Sequence, residues 1–185
     1  IHRKYIPCFI CLAEMLQPSN WNPGELALYD GAELGETAIA SLPPGMCVTR
    51  MYENTSDPRW SAIALPEEKD AVIDSLNAGY MIVNHVGHGF RNNVSVGLGG
   101  KEIERSDADG LTNKTEPFLF YGINCNSASF DFECIAEHFL ANPNGGAFAY
   151  VGSTRFDFPG HSEEYQGSFF RVLLSGQASL GEAHA

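Results

Sequence analysis

Apolar runs alternate with stretches of helical spacing along most of the chain. Residues 1–24 are apolar near Ile6–Leu12 and turn-like through Pro18-Ser19-Asn20-Trp21-Asn22-Pro23-Gly24, which reads as a leading segment joined by a loop to the main domain. Glu25–Tyr29 is a short apolar run closed by Asp30-Gly31, and Cys47–Tyr52 alternates apolar with polar, so both read as strands. Between them, Leu34, Ala38, Ile39 and Leu42 predict a helix over Ala32–Leu42, stopped by Pro43-Pro44-Gly45. Glu67–Asn77 carries Ala71, Val72 and Leu76 on one face, acids in its first turn and Gly79 just beyond its end, a second helix. Tyr80–Val83 and Phe118–Ile123 are continuous apolar strands, followed by Asn84-His85-Val86-Gly87-His88-Gly89 and Asn124-Cys125 respectively. A helix over Cys134–Leu140, a strand over Ala147–Val151 and a helix over Glu163–Leu174 complete the pattern, and 176–185 reads as a tail. Strands alternating with helices predict an α/β domain over 25–175, its largely parallel sheet covered on both faces.

Composition narrows the partners. The 185 residues suit one domain with a sizeable core. A formal net charge of −12 argues against nucleic acid and against an anionic membrane surface. No apolar run approaches the roughly 18 residues of a membrane span. The five cysteines are an odd count and no disulfide scaffold. Cys8-Phe9-Ile10-Cys11 has zinc-knuckle spacing without a second pair to complete four ligands. The chain begins Ile1-His2-Arg3-Lys4, with no initiator Met and no signal peptide, which suggests a piece of something longer. Three glycosylation sequons, at Asn54, Asn93 and Asn113, bear only on a glycosylating pathway.

Two buried-type strands run directly into reactive side chains, one into His85 and His88, the other into Cys125. In open α/β sheets ligands bind beyond the carboxyl ends of the strands, so neighbouring strands would bring imidazole and thiol to one rim. A thiol with an imidazole is the minimal set for nucleophilic attack on a carbonyl. Gly89 lets its backbone N–H approach an oxyanion closely. The plainer alternative is a packed core thiol and a turn histidine. A metal alternative exists too, with His85, His88 and Cys125, or Cys134 and His138, as ligands.

At these residues the sequence resembles the gingipain family of cysteine peptidases, within the caspase-like group. The likeness rests on Tyr80–Gly89, a hydrophobic strand running into His-Gly, and on Phe118–Cys125, a second strand ending in Cys. It extends to Glu133–Leu140, Asn142–Ala147 and Val151–Thr154, and covers roughly residues 25–174. The resemblance implies a three-layer α/β/α sandwich with a mostly parallel, caspase-like sheet, and a cysteine endopeptidase working through a thioester acyl-enzyme. It makes Cys125 the nucleophile, His88 the catalytic histidine because Gly follows it directly, and the amides of Gly89 and Cys125 the oxyanion donors. It places the wall of a substrate pocket at Phe156, Asp157 and Phe158. There Asp157 would pair with a basic side chain and a Phe would pack the aliphatic stem, unless Arg155 neutralises the acid. Asp131 is a second acid of that kind.

The same resemblance implies secretion or a cell-surface location, a peptide or protein substrate, and the remainder of a larger precursor as a further partner. No cofactor is required; calcium as a structural ion would take Glu102, Asp107 and Asp109. A group orienting the histidine is expected upstream, and no residue is identified for it. Two functions compete with the endopeptidase: an inactive caspase-like module that binds peptides or partner proteins, and a self-processing or acyl-transferring enzyme with the same dyad.

Overall fold

The computed structural model describes residues 8–16, 29–97 and 99–185. Its first half holds strand β1 (Cys8–Ala13), the short strands β2 (Met15–Leu16) and β3 (Tyr29–Asp30), helix α1 (Gly31–Ala40), strands β4 (Cys47–Tyr52) and β5 (Leu65–Pro66), helix α2 (Lys69–Ala78) and strand β6 (Ile82–Val86). Next come β7 (Gly89–Phe90), β8 (Asn93–Ser95), β9 (Glu102–Glu104) and α3 (Arg105–Asp109). The chain then forms β10 (Phe118–Ile123), α4 (Ile135–Ala141), β11 (Ala147–Val151), α5 (Pro159–Leu173) and α6 (Leu180–His184).

Six strands form one sheet in the order β11-β10-β6-β1-β4-β5, every described pairing in it parallel. Parallel neighbours need a crossover, and α1 supplies the one from β1 to β4. From β1 the chain builds outward through β4 and β5, then returns and builds the other way through β6, β10 and β11. The strand order therefore reverses between β1 and β6, the place where such sheets open a crevice at their carboxyl edge.

Helices cover both faces, which is why the central strands read as unbroken apolar runs. On one face Phe9, Cys11 and Ala13 pack with Ile82, Leu119 and Tyr121 beneath α1 and α5. On the other, Ile10, Leu12, Val83 and Phe120 lie under α2 and α4. Phe120 stacks on Tyr150 with centroids 4.6 Å apart and on Phe139 at 5.3 Å, tying β10 to β11 and α4. The result is the three-layer α/β/α sandwich expected from the alternation.

Three expectations change. The leading segment is no appendage: Cys8–Ala13, within residues 1–24, is a central strand of the sheet, buried on both faces, and so part of the domain. The turn-rich stretch after it hid this by separating it from the next apolar run; residues 17–28, with most of the strand expected over Glu25–Tyr29, lie outside the described residues. The tail at 176–185 contains α6, started by a Ser179–Glu182 capping box and packed on the core through Leu180 and Ala183. The small antiparallel sheet β7-β8-β9 was not expected, since strands of two or three residues carry no readable period.

Candidate active site

Three adjacent strands end at the same edge of the sheet. β6 and β10 are register neighbours, His85 opposite Gly122 and Val86 opposite Ile123, and β1 flanks β6 with Ala13 opposite Val86. The chain leaves β6 through Gly87, whose N–H donates to the Ile123 carbonyl at 3.1 Å, and continues to His88 and Gly89. It leaves β10 through Asn124 and Cys125, and β1 through Glu14, whose N–H donates to the Val86 carbonyl at 3.0 Å. The structure thus brings Glu14, His88 and Cys125 to one rim, at the reversal in strand order.

The two histidines of the motif sit in unlike surroundings. His85 is fully buried with both ring nitrogens bonded, Nδ1 to Asn124 and Nε2 to the Ser95 carbonyl. Burial pushes its pKa down to about 4. His88 is exposed. Gly89 is where the two strand ends close on each other: a Cβ there would lie 3.1 Å from the Asn124 Cβ and from the Cys125 carbonyl oxygen. Cys125 is half-buried, and its Sγ accepts from the Asp157 N–H at 3.3 Å. Asn126, next in the chain, adopts a left-handed φ of 58° and donates its N–H to the Arg155 carbonyl at 2.8 Å. Such a conformation is uncommon outside glycine and turns the chain sharply after Cys125.

Glu14 is the residue sequence reasoning missed. It is 5% exposed, and its Oε2 accepts from the His88 N–H at 2.8 Å. Burial pushes its carboxyl up to about 8; the charges of Glu53 and Glu102 act in the same direction, and the His88 N–H opposes them. Glu14 lies upstream of His88 in the chain, where a group orienting the histidine was expected, but its bond is to the His88 backbone N–H and not to the ring. The signal was present: Phe9-Ile10-Cys11-Leu12-Ala13 is a buried-type run ending in a polar side chain, as the His and Cys strands are.

A pocket of about 210 Å³ is lined among others by Tyr121, Ile123, Asp157, Ser162, Tyr165 and His184; Cys125 is not in its lining and is linked to it through the Asp157 N–H on its Sγ. Asp157 is half-buried, accepts from the Ser162 hydroxyl, and has its pKa raised by burial. Arg155 does not neutralise it: that guanidinium pairs with Asp131 at 3.1 Å, which also occupies the alternative acid. Of the expected wall residues only Asp157 lines the pocket. Phe156 and Phe158 are 69% and 60% exposed, and the apolar lining comes from Tyr121, Ile123 and Tyr165 instead. Phe158 leads into α5 as its N-cap, and the rings on both sides of Asp157 stay in solvent, where they cover no pocket surface.

The acids expected to hold calcium do not converge. Asp107 pairs with Lys69 at 2.7 Å, Asp109 with His138 at 2.8 Å, and Glu102 accepts from Asn93 at 2.7 Å. Among the described residues no group of three or more His, Cys, Asp or Glu side chains is placed to hold a metal ion. His85 is committed to Asn124 and Ser95, while Cys134 is buried at the start of α4, so neither zinc alternative gains a ligand set.

Against known proteins, the chain matches the model of peptidase family C25 over residues 14–185. No curated protein matches it. Among solved structures it is similar to the Arg-specific cysteine proteinase gingipain R, with a TM-score of 0.70 at 19% identity over 96% of this chain. It is also similar to the complex of RgpB pro- and mature domains from Porphyromonas gingivalis, with a TM-score of 0.66 at 18% identity over 90% of this chain. A third structure, of a protease, gives a TM-score of 0.55 at 20% identity over 86% of this chain and 32% of the other. The chain spans 40% of the first of these structures and 37% of the second. At these identities the likeness is one of fold.

Proposed function

The chain belongs to peptidase family C25, and from that premise we propose that it is a cysteine endopeptidase whose reacting groups are Cys125 and His88. The observation that carries the reading is the meeting of three strand ends, those of Glu14, His88 and Cys125, beside a pocket with an acid in its wall. In this reading the Cys125 thiolate attacks the scissile carbonyl carbon, and the negative charge moves to the carbonyl oxygen, where the N–H groups of Gly89 and Cys125 receive it. The tetrahedral species collapses by breaking the C–N bond, and the His88 imidazolium protonates the departing amine, leaving a thioester on Sγ. His88, now neutral, takes a proton from water as that water attacks the thioester, and the thiolate leaves with the acid product released. Glu14 acts on His88 through the backbone, fixing the turn that carries the ring.

The pocket suggests the substrate class. A basic side chain entering this pocket would meet the Asp157 carboxylate, with Tyr121 and Tyr165 against its methylenes, next to the residue whose N–H contacts Cys125 Sγ. The similar gingipain R is described as Arg-specific, which agrees with an acidic wall. The proposed substrate is accordingly a peptide or protein; the remainder of a larger precursor as a partner, and a secreted or cell-surface location, are proposed from the likeness to the gingipain structures. Among the described residues no helix is long and apolar enough to cross a membrane.

The deciding experiment compares the wild-type chain with Cys125→Ala on a library of peptides carrying Arg or Lys, or neither, before the scissile bond. Hydrolysis by the wild type, with selective labelling of Cys125 by a peptidyl chloromethyl ketone, is the expected result. Cleavage that persists in Cys125→Ala removes the assignment. Binding of peptides without turnover by the wild type would instead identify the inactive binding module.

A further inference from the structure

Beneath the candidate site the two strands that form it are joined by side chains the reaction does not use. His85 of β6 is fully buried, stands opposite Gly122 of β10, and lies nearly parallel to the Phe120 ring at 6.0 Å. Its Nε2 is 2.8 Å from the Ser95 carbonyl oxygen. A carbonyl only accepts, so Nε2 carries the proton and Nδ1 is bare. Nδ1 then accepts from Asn124 Nδ2 at 2.9 Å, which fixes the orientation of that amide. The other end of the amide, Oδ1, accepts from the Ser127 hydroxyl. The chain Ser127–Asn124–His85–Ser95 therefore runs donor to acceptor throughout, with the imidazole neutral, as its burial requires.

Two glycines leave room for this amide. A Cβ at Gly122 would lie 2.5 Å from Asn124 Nδ2, so any larger residue opposite His85 would displace the bond between them. A Cβ at Gly89 would lie 3.1 Å from the Asn124 Cβ, so the Asn124 side chain is also what the Gly89 backbone rests against. Asn124 immediately precedes Cys125, and Gly89 immediately follows His88. One side chain thus touches both halves of the site: covalently on the thiol side, by contact on the glycine side, and by hydrogen bond to the strand that carries His88.

Resting on the peptidase reading above, we propose that Asn124 and His85 are positioning residues which set the separation of Gly89 from Cys125, and with it the place where the oxyanion is received. Neither touches the substrate. The neutral imidazole clamps the amide, and the amide spaces the two N–H donors. Local loops are then not needed to hold the oxyanion donors, because the register of β6 against β10 holds them.

The test uses the full 185-residue chain as wild type, Asn124→Ala and Ser127→Ala, with three readouts. The first is kcat and KM on a cleaved peptide. The second is affinity for a peptide aldehyde, whose hemithioacetal oxygen needs the oxyanion donors. The third is the rate at which iodoacetamide alkylates Cys125, which needs the sulfur and no oxyanion. Asn124→Ala is expected to lose about 100-fold in kcat and a similar factor in aldehyde affinity, since a misplacement on the order of 1 Å has that effect. KM and the alkylation rate are expected to stay within about twofold, because neither substrate contact nor the thiol is altered. Ser127→Ala, which keeps the bond to His85, is expected to show the same split at roughly tenfold or less, and it carries the test if Asn124→Ala does not fold. Unchanged kcat in the folded variant, or alkylation falling in step with kcat, overturns the proposal. If the wild-type chain hydrolyses nothing, the peptidase reading has failed on its own. The pair is then read by amide hydrogen exchange at Gly89 and Cys125: faster exchange in the variant supports it, and unchanged exchange overturns it.

Discussion

Glu14 offers the sharpest test of how the site is built, because its consequence appears in stability without any substrate. The carboxyl lies 5% exposed between β1 and the His88 turn, and burial raises its pKa from 4.5 to about 8. A carboxyl raised in this way stays protonated in the folded state at pH values where the unfolded chain has ionised. The folded state therefore binds more protons across that interval, and stability falls as pH rises from about 4.5 to 8. At about 1.4 kcal/mol per pH unit, the loss between pH 5 and 8.5 is about 4 kcal/mol. That is a large share of the roughly 5–15 kcal/mol that holds a typical domain folded.

Glu14→Gln keeps the shape and an oxygen to accept from the His88 N–H, and it cannot ionise. Urea denaturation at pH 5 and at pH 8.5, followed by tryptophan fluorescence, compares the two proteins; Trp60 is buried in the core and reports on unfolding. The wild type should lose about 4 kcal/mol more than the variant over that interval. Glu67, also buried and raised by burial and by the Glu14 charge, adds to the slope in the wild type and less in the variant. His85, whose pKa is lowered to about 4, works in the other direction: its contribution is whole above about 6.5 and is lost as pH falls toward 4. It does so in both proteins and drops out of the comparison. Equal pH dependence in wild type and variant would mean that water or a counter-charge reaches Glu14, and the account of the rim as a desolvated edge would fall with it.

Other consequences are simpler. Gly89→Ala introduces a Cβ 3.1 Å from the Asn124 Cβ and the Cys125 carbonyl oxygen, so the two strand ends must separate. Turnover should fall about 10- to 100-fold while the urea midpoint shifts little; wild-type turnover in that variant, which keeps the N–H, would show that the spacing at Gly89 does not set the oxyanion site. Asp157→Asn removes the charge in the pocket wall, and kcat/KM for Arg or Lys peptides should drop about 10- to 100-fold, the worth of a charge-assisted hydrogen bond. Peptides with neutral side chains at that position should be cleaved as before, and an equal loss on both kinds would assign Asp157 a structural role.

The strands and helices of the main body were legible because burial on two faces writes itself into sequence as unbroken apolar runs. Cys47–Tyr52, Phe118–Ile123 and Ala147–Val151 lie where their pattern puts them. What the pattern could not supply was order in space. Nothing in Phe9–Ala13 states that it lies between the His strand and Cys47–Tyr52, because a parallel sheet joins strands far apart in sequence and the crossover carries no label for its destination. The same ignorance separated Glu14 from His88, 74 residues apart, although their bond is among the closest in the site. Likewise His85 looked like a second candidate for the reaction until the register set it opposite Gly122 and beneath Asn124. The chemistry-bearing residues were legible singly, as polar side chains that interrupt apolar runs. Which of them faces solvent and which is clamped below is a property of the register, since a residue and its neighbour on one strand leave by opposite faces. A search for further site residues in chains of this pattern should therefore begin at every buried-type strand that ends in a polar side chain, including those that precede the apparent start of the domain.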